Sequence, residues 1–145
     1  MPTLLIVLPR AANTVRTWVM DVYKVKREEI KQDLHINRFS QIYLSFDLWT
    51  SPNSVILMAV VAHYVNKKFR NTSRLIALRN FNGSHSGANM AELLIKIIKK
   101  FDIQNLLGYF VTDNADNNDI YINAVFRTLM SDLSAKERSR RRLRY

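Results

Sequence analysis

The sequence predicts an α/β domain with a mixed sheet: three antiparallel strands, a helix, a parallel strand and a closing helix, with one further helix in front. Three observations carry this prediction. Three β-rich segments between residues 42 and 81 are separated only by short turns, the pattern of an antiparallel meander. A helical stretch then precedes a fourth apolar run, and a strand reached through such a crossover lies parallel to one of the earlier strands. Lastly, 48% hydrophobic residues with three Gly and three Pro in 145 residues can fill the core of one domain.

The elements follow in order. Asn13 is positioned to cap a helix over residues 14–34. Its broken apolar stripe, Val15, Trp18, Val19, Val22 and Ile30, implies packing on a neighbour or a partner helix. Residues 35–38 connect to the first strand, residues 42–51. Period-2 reading puts Ile42, Leu44, Phe46 and Leu48 on one face and Tyr43, Ser45, Asp47 and Trp49 on the other. A turn at residues 49–54, marked by Ser-Pro and Asn, leads to a second strand over 55–65. That strand is apolar on both sides, as a central strand should be, and His63 within it reads as a satisfied core or rim histidine. Asn66-Lys67-Lys68 turns into a third strand over 70–81. A loop containing His85 precedes a helix over 88–101, with Met90, Leu94, Ile97 and Phe101 inward, joined by Leu93 and Ile98. The fourth strand, 106–112, delivers Asp113. A last helix over about 117–133 turns Ile120, Ala124, Phe126 and Leu129 inward.

Asp47 and Asp113 are the residues that carry chemistry. A carboxylate in an apolar strand is costly to bury unless it is paired, hydrogen-bonded or metal-bound. The element order matches the first part of a ribonuclease H-like fold, where the first and fourth strands are neighbours. An acid on each would then meet its counterpart at the carboxyl end of the parallel strand, where open α/β sheets place their sites. Two such carboxylates suit Mg²⁺ or Mn²⁺, hard cations that prefer oxygen. The structural readings also stand: Asp47 as an early turn residue before Thr50-Ser51-Pro52, and Asp113 as an Asx-turn acid ahead of a helix capped by Asp116 or Asn117.

Several motifs also carry a resemblance. Ser45-Phe46-Asp47-Leu48-Trp49-Thr50-Ser51, Ala62-His63-Tyr64, the stretch from His85 to Ala91 and Thr112-Asp113-Asn114-Ala115-Asp116-Asn117-Asn118 resemble, in order and spacing, the catalytic domain of hAT-family DNA transposases. Leu8-Pro9 and the first helix are similar to the helical region before that domain. The resemblance implies cut-and-paste DNA transposition by a metal-dependent DDE site, with Asp47 as first acid, Asp113 as second, and both as metal ligands. The family's third acid, a glutamate, has no counterpart here, since Glu137 comes too early. No BED-type zinc finger or dimerisation region is present in these residues. An internal fragment, inactive alone, is therefore expected, with DNA, related transposase chains or further copies as partners and the nucleus as its compartment.

The charge balance agrees with a polyanionic partner. The net charge is +10, and Lys136, Arg138, Arg140, Arg141, Arg142 and Arg144 against Glu137 supply about half of it. Read as a basic tail over residues 135–145, these arginines are candidate nucleic-acid contacts or an import patch. The chain so divides into an N-terminal helical segment (1–38), a partial ribonuclease H-like domain (39–134) and that tail. Arg142 to Tyr145 resembles the lead-in to the family's next strand. Without that strand, residues 106–111 would form an unpaired apolar edge. The absence of cysteine rules out disulfides and Cys-ligated zinc in these residues, and no apolar run is long enough to span a bilayer. Two other functions stay open: a non-catalytic module that binds nucleic acid or protein, and a small nuclease using Asp47, Asp113 and Asp116 or Asp119.

Overall fold

A computed structural model describes residues 11–80, 87–112 and 117–144. Nine elements follow in chain order: α1 (Ala12–Ile36), β1 (Ile42–Thr50), β2 (Ile56–Val65), β3 (Asn71–Asn80), α2 (Gly87–Phe101), β4 (Leu107–Thr112), α3 (Asn117–Leu129), α4 (Ala135–Arg140) and β5 (Arg142–Arg144). The strands form one sheet in the order β3-β2-β1-β4-β5. β3, β2 and β1 are an antiparallel meander, and β4 joins β1 in parallel after the α2 crossover, as the element order predicts.

The alternation of β1 is the one read from the sequence. Ile42, Leu44 and Phe46 are buried, while Tyr43 and Ser45 are half-buried and Asp47 is exposed. Met58, Val60, Ala62 and Tyr64 of β2 continue the buried side. α2 and α3 pack there, and aromatic rings knit the layers: Phe46 lies 5.6 Å from Tyr121 and 6.3 Å from Phe110, and Phe110 meets Phe126 edge-on at 5.2 Å. The other side of the sheet carries mostly half-exposed and exposed residues, Leu75 and Leu78 of β3 among them. A bulge in the β1–β4 ladder sets Gly108 and Tyr109 against Tyr43. A Cβ at Gly108 would stand 3.0–3.1 Å from the Gln41 side chain, so a larger residue there would require Gln41 to shift by a few tenths of an ångström.

Four expectations require correction. Asn13 does not cap α1; the helix begins two residues earlier than expected, at Ala12, and the N-cap residue, Ala11, makes no side-chain cap bond. The apolar stripe of α1 is buried only toward its C-terminus, at Leu34 and in part at Ile30, while Val15, Trp18, Val19 and Val22 are exposed. In α3, Ile120 points outward at 65% exposure, and Tyr121, Ile122, Val125 and Phe126 form the buried face. The aromatic contacts of Phe46 and Phe110 fix that rotation, which a short apolar-rich helix leaves ambiguous in sequence.

The largest correction concerns residues 135–144 of the expected basic tail. They are not a solvated tail. Ser134 and Glu137 form a capping box that starts α4, and β5 then pairs in parallel with β4, matching Phe110–Thr112 with Arg142–Arg144. The edge expected to lie open on β4 is thus covered at those three residues, because their backbone groups find partners in β5.

α1 is fastened to the sheet by one polar cluster. Asp33 accepts from Tyr64 Oη at 2.5 Å, from Arg74 Nε at 2.8 Å and from Asn37 Nδ2 at 2.8 Å, and pairs with Arg74 Nη2 at 2.8 Å. Burial works to raise the Asp33 carboxyl, but these donors and the Arg74 cation outweigh it and hold the group below its ordinary value. Burial and the Asp33 carboxylate push the Tyr64 hydroxyl up to about 12.

Candidate functional site

Asp47 stands near the end of β1, on the half-exposed face of the sheet. Its Oδ1 accepts from the Leu48 N–H at 2.9 Å, and its antiparallel partner is the small Ala59, which leaves the carboxylate open to solvent. Asp47 is not an early turn residue, since the strand continues to Thr50.

Beside it, β1 and β4 run in the same direction, with Leu44 level with Phe110 and Ser45 level with Val111. In the sequence Asp47 comes two residues after Ser45, and Asp113 two after Val111. Asp113 itself, like Asp116 and His85, lies outside the described residues. Among the described residues no three acidic or histidine side chains form a metal-holding group. Asp47 contributes a solvent-facing oxygen donor, the kind of ligand that Mg²⁺ or Mn²⁺ takes.

The sequence alone did not reveal the group that surrounds His63. Its Nε2 lies 2.8 Å from Ser45 Oγ and its Nδ1 2.9 Å from Ser73 Oγ, so one imidazole links β1, β2 and β3 across the face that bears Asp47. Burial lowers the pKa of His63. The neutral ring has one donor and one acceptor nitrogen, and a hydroxyl can fill either role. The reading of His63 as a satisfied rim histidine fits these contacts. The signal was available: Ser45 and Asp47 share a period-2 phase, but the pairing of Ser73 with His63 requires the strand register.

The arginines after Ser134 are not equally available. Arg138 donates from Nη1 to the Leu133 carbonyl, and Arg141 Nη1 reaches the Leu107 carbonyl at 3.3 Å. Arg142 Nε donates to Thr112 Oγ1 at 3.3 Å. Arg140 is exposed, and Arg144 pairs with Thr112 through the backbone register. Several of the expected nucleic-acid contacts are therefore engaged in holding α4 and β5 against β4.

Residues 45–139 match the family described as the ZBED1 RNase-like domain. The chain belongs to that family. It is an hAT-transposase-like RNase-like domain, as the motifs around Asp47 imply. The match starts within β1 at Ser45. Among relatives, tpeD of Talaromyces stipitatus, named for transcriptional regulation, is 27% identical over 128 residues, 88% of this chain and 15% of its own length. Two Zea mays proteins, named as AC and AC9 transposases, are each 25% identical over 118 residues, 80% of this chain and 14% of theirs. The chain spans about one seventh of the length of these relatives. Among the described residues no helix is long and apolar enough to cross a membrane.

Proposed function

We propose that this domain supplies the first two carboxylates, Asp47 and Asp113, of a DDE-type DNA cleavage and strand-transfer site, and that it is inactive alone. The observation that supports this reading is the parallel pairing of β1 with β4, level at Ser45 and Val111. Two steps along each strand bring the sequence to the two acids. Both would hold Mg²⁺ or Mn²⁺ as hard oxygen donors. When bound, such an ion activates the attacking water or hydroxyl and stabilises the leaving oxygen of the phosphodiester. This chain's own residues orient and charge the site, and the third acid would come from elsewhere. DNA is the proposed partner and the nucleus the proposed compartment. Arg140 is the exposed side chain of the basic segment best placed to meet phosphate, in a contact that should weaken steeply with salt.

A second reading rests on one observation: a relative of this domain is named for transcriptional regulation, not transposition. On that reading the sheet is a non-catalytic module. Mn²⁺ titration followed by paramagnetic broadening of amide signals distinguishes the two. Broadening centred on Asp47, lost in Asp47→Ala and in Asp113→Ala without a change in melting temperature, is the expected result. Salt-sensitive DNA binding with no Mn²⁺ effect would favour the module. Metal-dependent nicking of plasmid DNA by the isolated chain would contradict the claim that it is inactive.

A further inference from the structure

Between α1 and the edge strand β3 lies a cleft of about 370 Å³, to whose lining Leu75 and Leu78 also contribute. That volume lies within the usual range for small-ligand sites, roughly 300–1,000 Å³. Its floor is apolar: Ile30 of α1, Ile76 and Ala77 of β3, and Phe101 at the end of α2. A bulge in the β2–β3 ladder produces this floor, because it turns the consecutive residues Ile76 and Ala77 both inward.

The rim is cationic. Lys26 and Arg27 line it, but each already has a carboxylate, Glu29 at 2.7 Å and Glu28 at 2.9 Å. Arg79 is different. It lines the cleft half-buried and makes no ion pair among the described residues. Lys100, which reaches the cleft through Tyr23, makes no ion pair among the described residues; its Nζ donates to Tyr23 Oη at 3.3 Å and lies 5.5 Å from the centre of that ring. Tyr23 reports the resulting field. Burial would raise its hydroxyl, yet the bond from Lys100 and the charges of Lys100, Arg79 and Arg27 bring it below its ordinary value. An apolar floor beside two cations that have no acidic partner among the described residues, and a phenol, calls for a ligand with an apolar body and a compact anionic head.

We infer that this cleft binds a small phosphate monoester with an aromatic or branched apolar body. The body lies over Ile76, Ala77 and Phe101, and the phosphate oxygens meet Arg79 and Lys100. The site does not depend on the proposed metal site, since no residue of β1 or β4 lines the cleft.

The test uses the full chain and 1-naphthyl phosphate, followed by amide chemical-shift mapping and calorimetry. The expected result is a saturable shift at Ile76, Ala77 and Arg79, with binding at least tenfold weaker in Arg79→Glu. Arg70→Glu, an equal charge change at an exposed residue outside the cleft, should leave binding within about twofold of the parent. Lys100→Gln should weaken it in the same direction as Arg79→Glu, and unchanged melting curves would show that both variants are folded. Absence of a shift at these amides at millimolar ligand would overturn the inference. So would equal loss in Arg79→Glu and Arg70→Glu, which would mean unspecific charge, or equal affinity for inorganic phosphate, which would mean that the apolar floor contributes nothing. Displacement of the probe by a single-stranded oligonucleotide at equal concentration would assign the cleft to nucleic acid and also overturn it.

Discussion

The two faces of this sheet are made by the same strands, residue by residue, yet they do different work. One face is dry. Ile42, Leu44, Phe46, Met58, Val60 and Phe110 close against α2 and α3, and almost no polar side chain is found there. The other face carries Ser45, Asp47, His63 and Ser73, along with side chains such as Leu78 that stay exposed. Stability is thus concentrated on one side, and polar side chains gather on the other, where changing them disturbs little packing.

The sharpest way to break this comparison uses neighbours on one strand. Phe110 is 1% exposed and rests on Phe46 and Phe126, whereas Tyr109, the residue before it, is half-exposed and stacks on Tyr43 at 5.6 Å. Phe110→Ala should cost ~3–5 kcal/mol, the range for a large aromatic in a close-packed core. Tyr109→Ala should cost only about 1 kcal/mol, near the worth of one aromatic pair. Urea unfolding of both variants measures the ratio. Equal losses would mean that the second face is as tightly packed as the first.

A smaller effect is expected at the seam between α1 and the sheet. Asp33→Ala leaves Tyr64 and Arg74 without their shared acceptor and should cost about 1.5–3 kcal/mol, as for hydrogen bonds to a charged group. The same contacts set a pH dependence. Because the folded-state pKa of Asp33 is held below its ordinary value of 3.8, its stabilisation is full above that value and fades as pH falls through the folded pKa. Unfolding curves between pH 5 and pH 2 should therefore steepen in the parent chain relative to Asp33→Ala. If the two decline in parallel, the cluster is not what fastens α1.

Legibility in the sequence followed the physics of each element. The meander and the α2 crossover were readable because β-branched runs and turn residues alternate without ambiguity from Ile56 to Asn80. The phase of β1 was readable from strict alternation, which put Asp47 on the face opposite Ile42, Leu44 and Phe46. The basic end misled because charge density dominated the reading, although Ser134-Ala135-Lys136-Glu137 carried the capping-box spacing of a helix start. The outward rotation of Ile120 could not be read, since α3 has apolar residues on more than one side and tertiary contacts select among them. The serine partners of His63 were hidden for another reason: they sit 18 and 10 residues away, and only the strand register brings them together.

The smallest effect sharpens the comparison most, because it concerns a polar group inside the less-buried face. Burial lowers the His63 pKa below the ordinary 6.5. Above that value both folded and unfolded chains hold a neutral imidazole, and the residue adds no pH dependence. As pH falls below 6.5 the unfolded chain takes up a proton that the folded chain resists, so stability declines until the folded pKa is passed. The ring is partly solvated and both serine hydroxyls can rotate to accept from it, so the decline should be less than roughly 1 kcal/mol after solvent screening. His63→Gln keeps a donor and an acceptor between Ser45 and Ser73 but cannot titrate. The difference in unfolding free energy between parent and variant should then shift in favour of the variant from pH 7.5 to pH 5. An unchanged difference would mean that His63 is as well solvated in the folded chain as in the unfolded one. The face of Asp47 would then be uniformly wet.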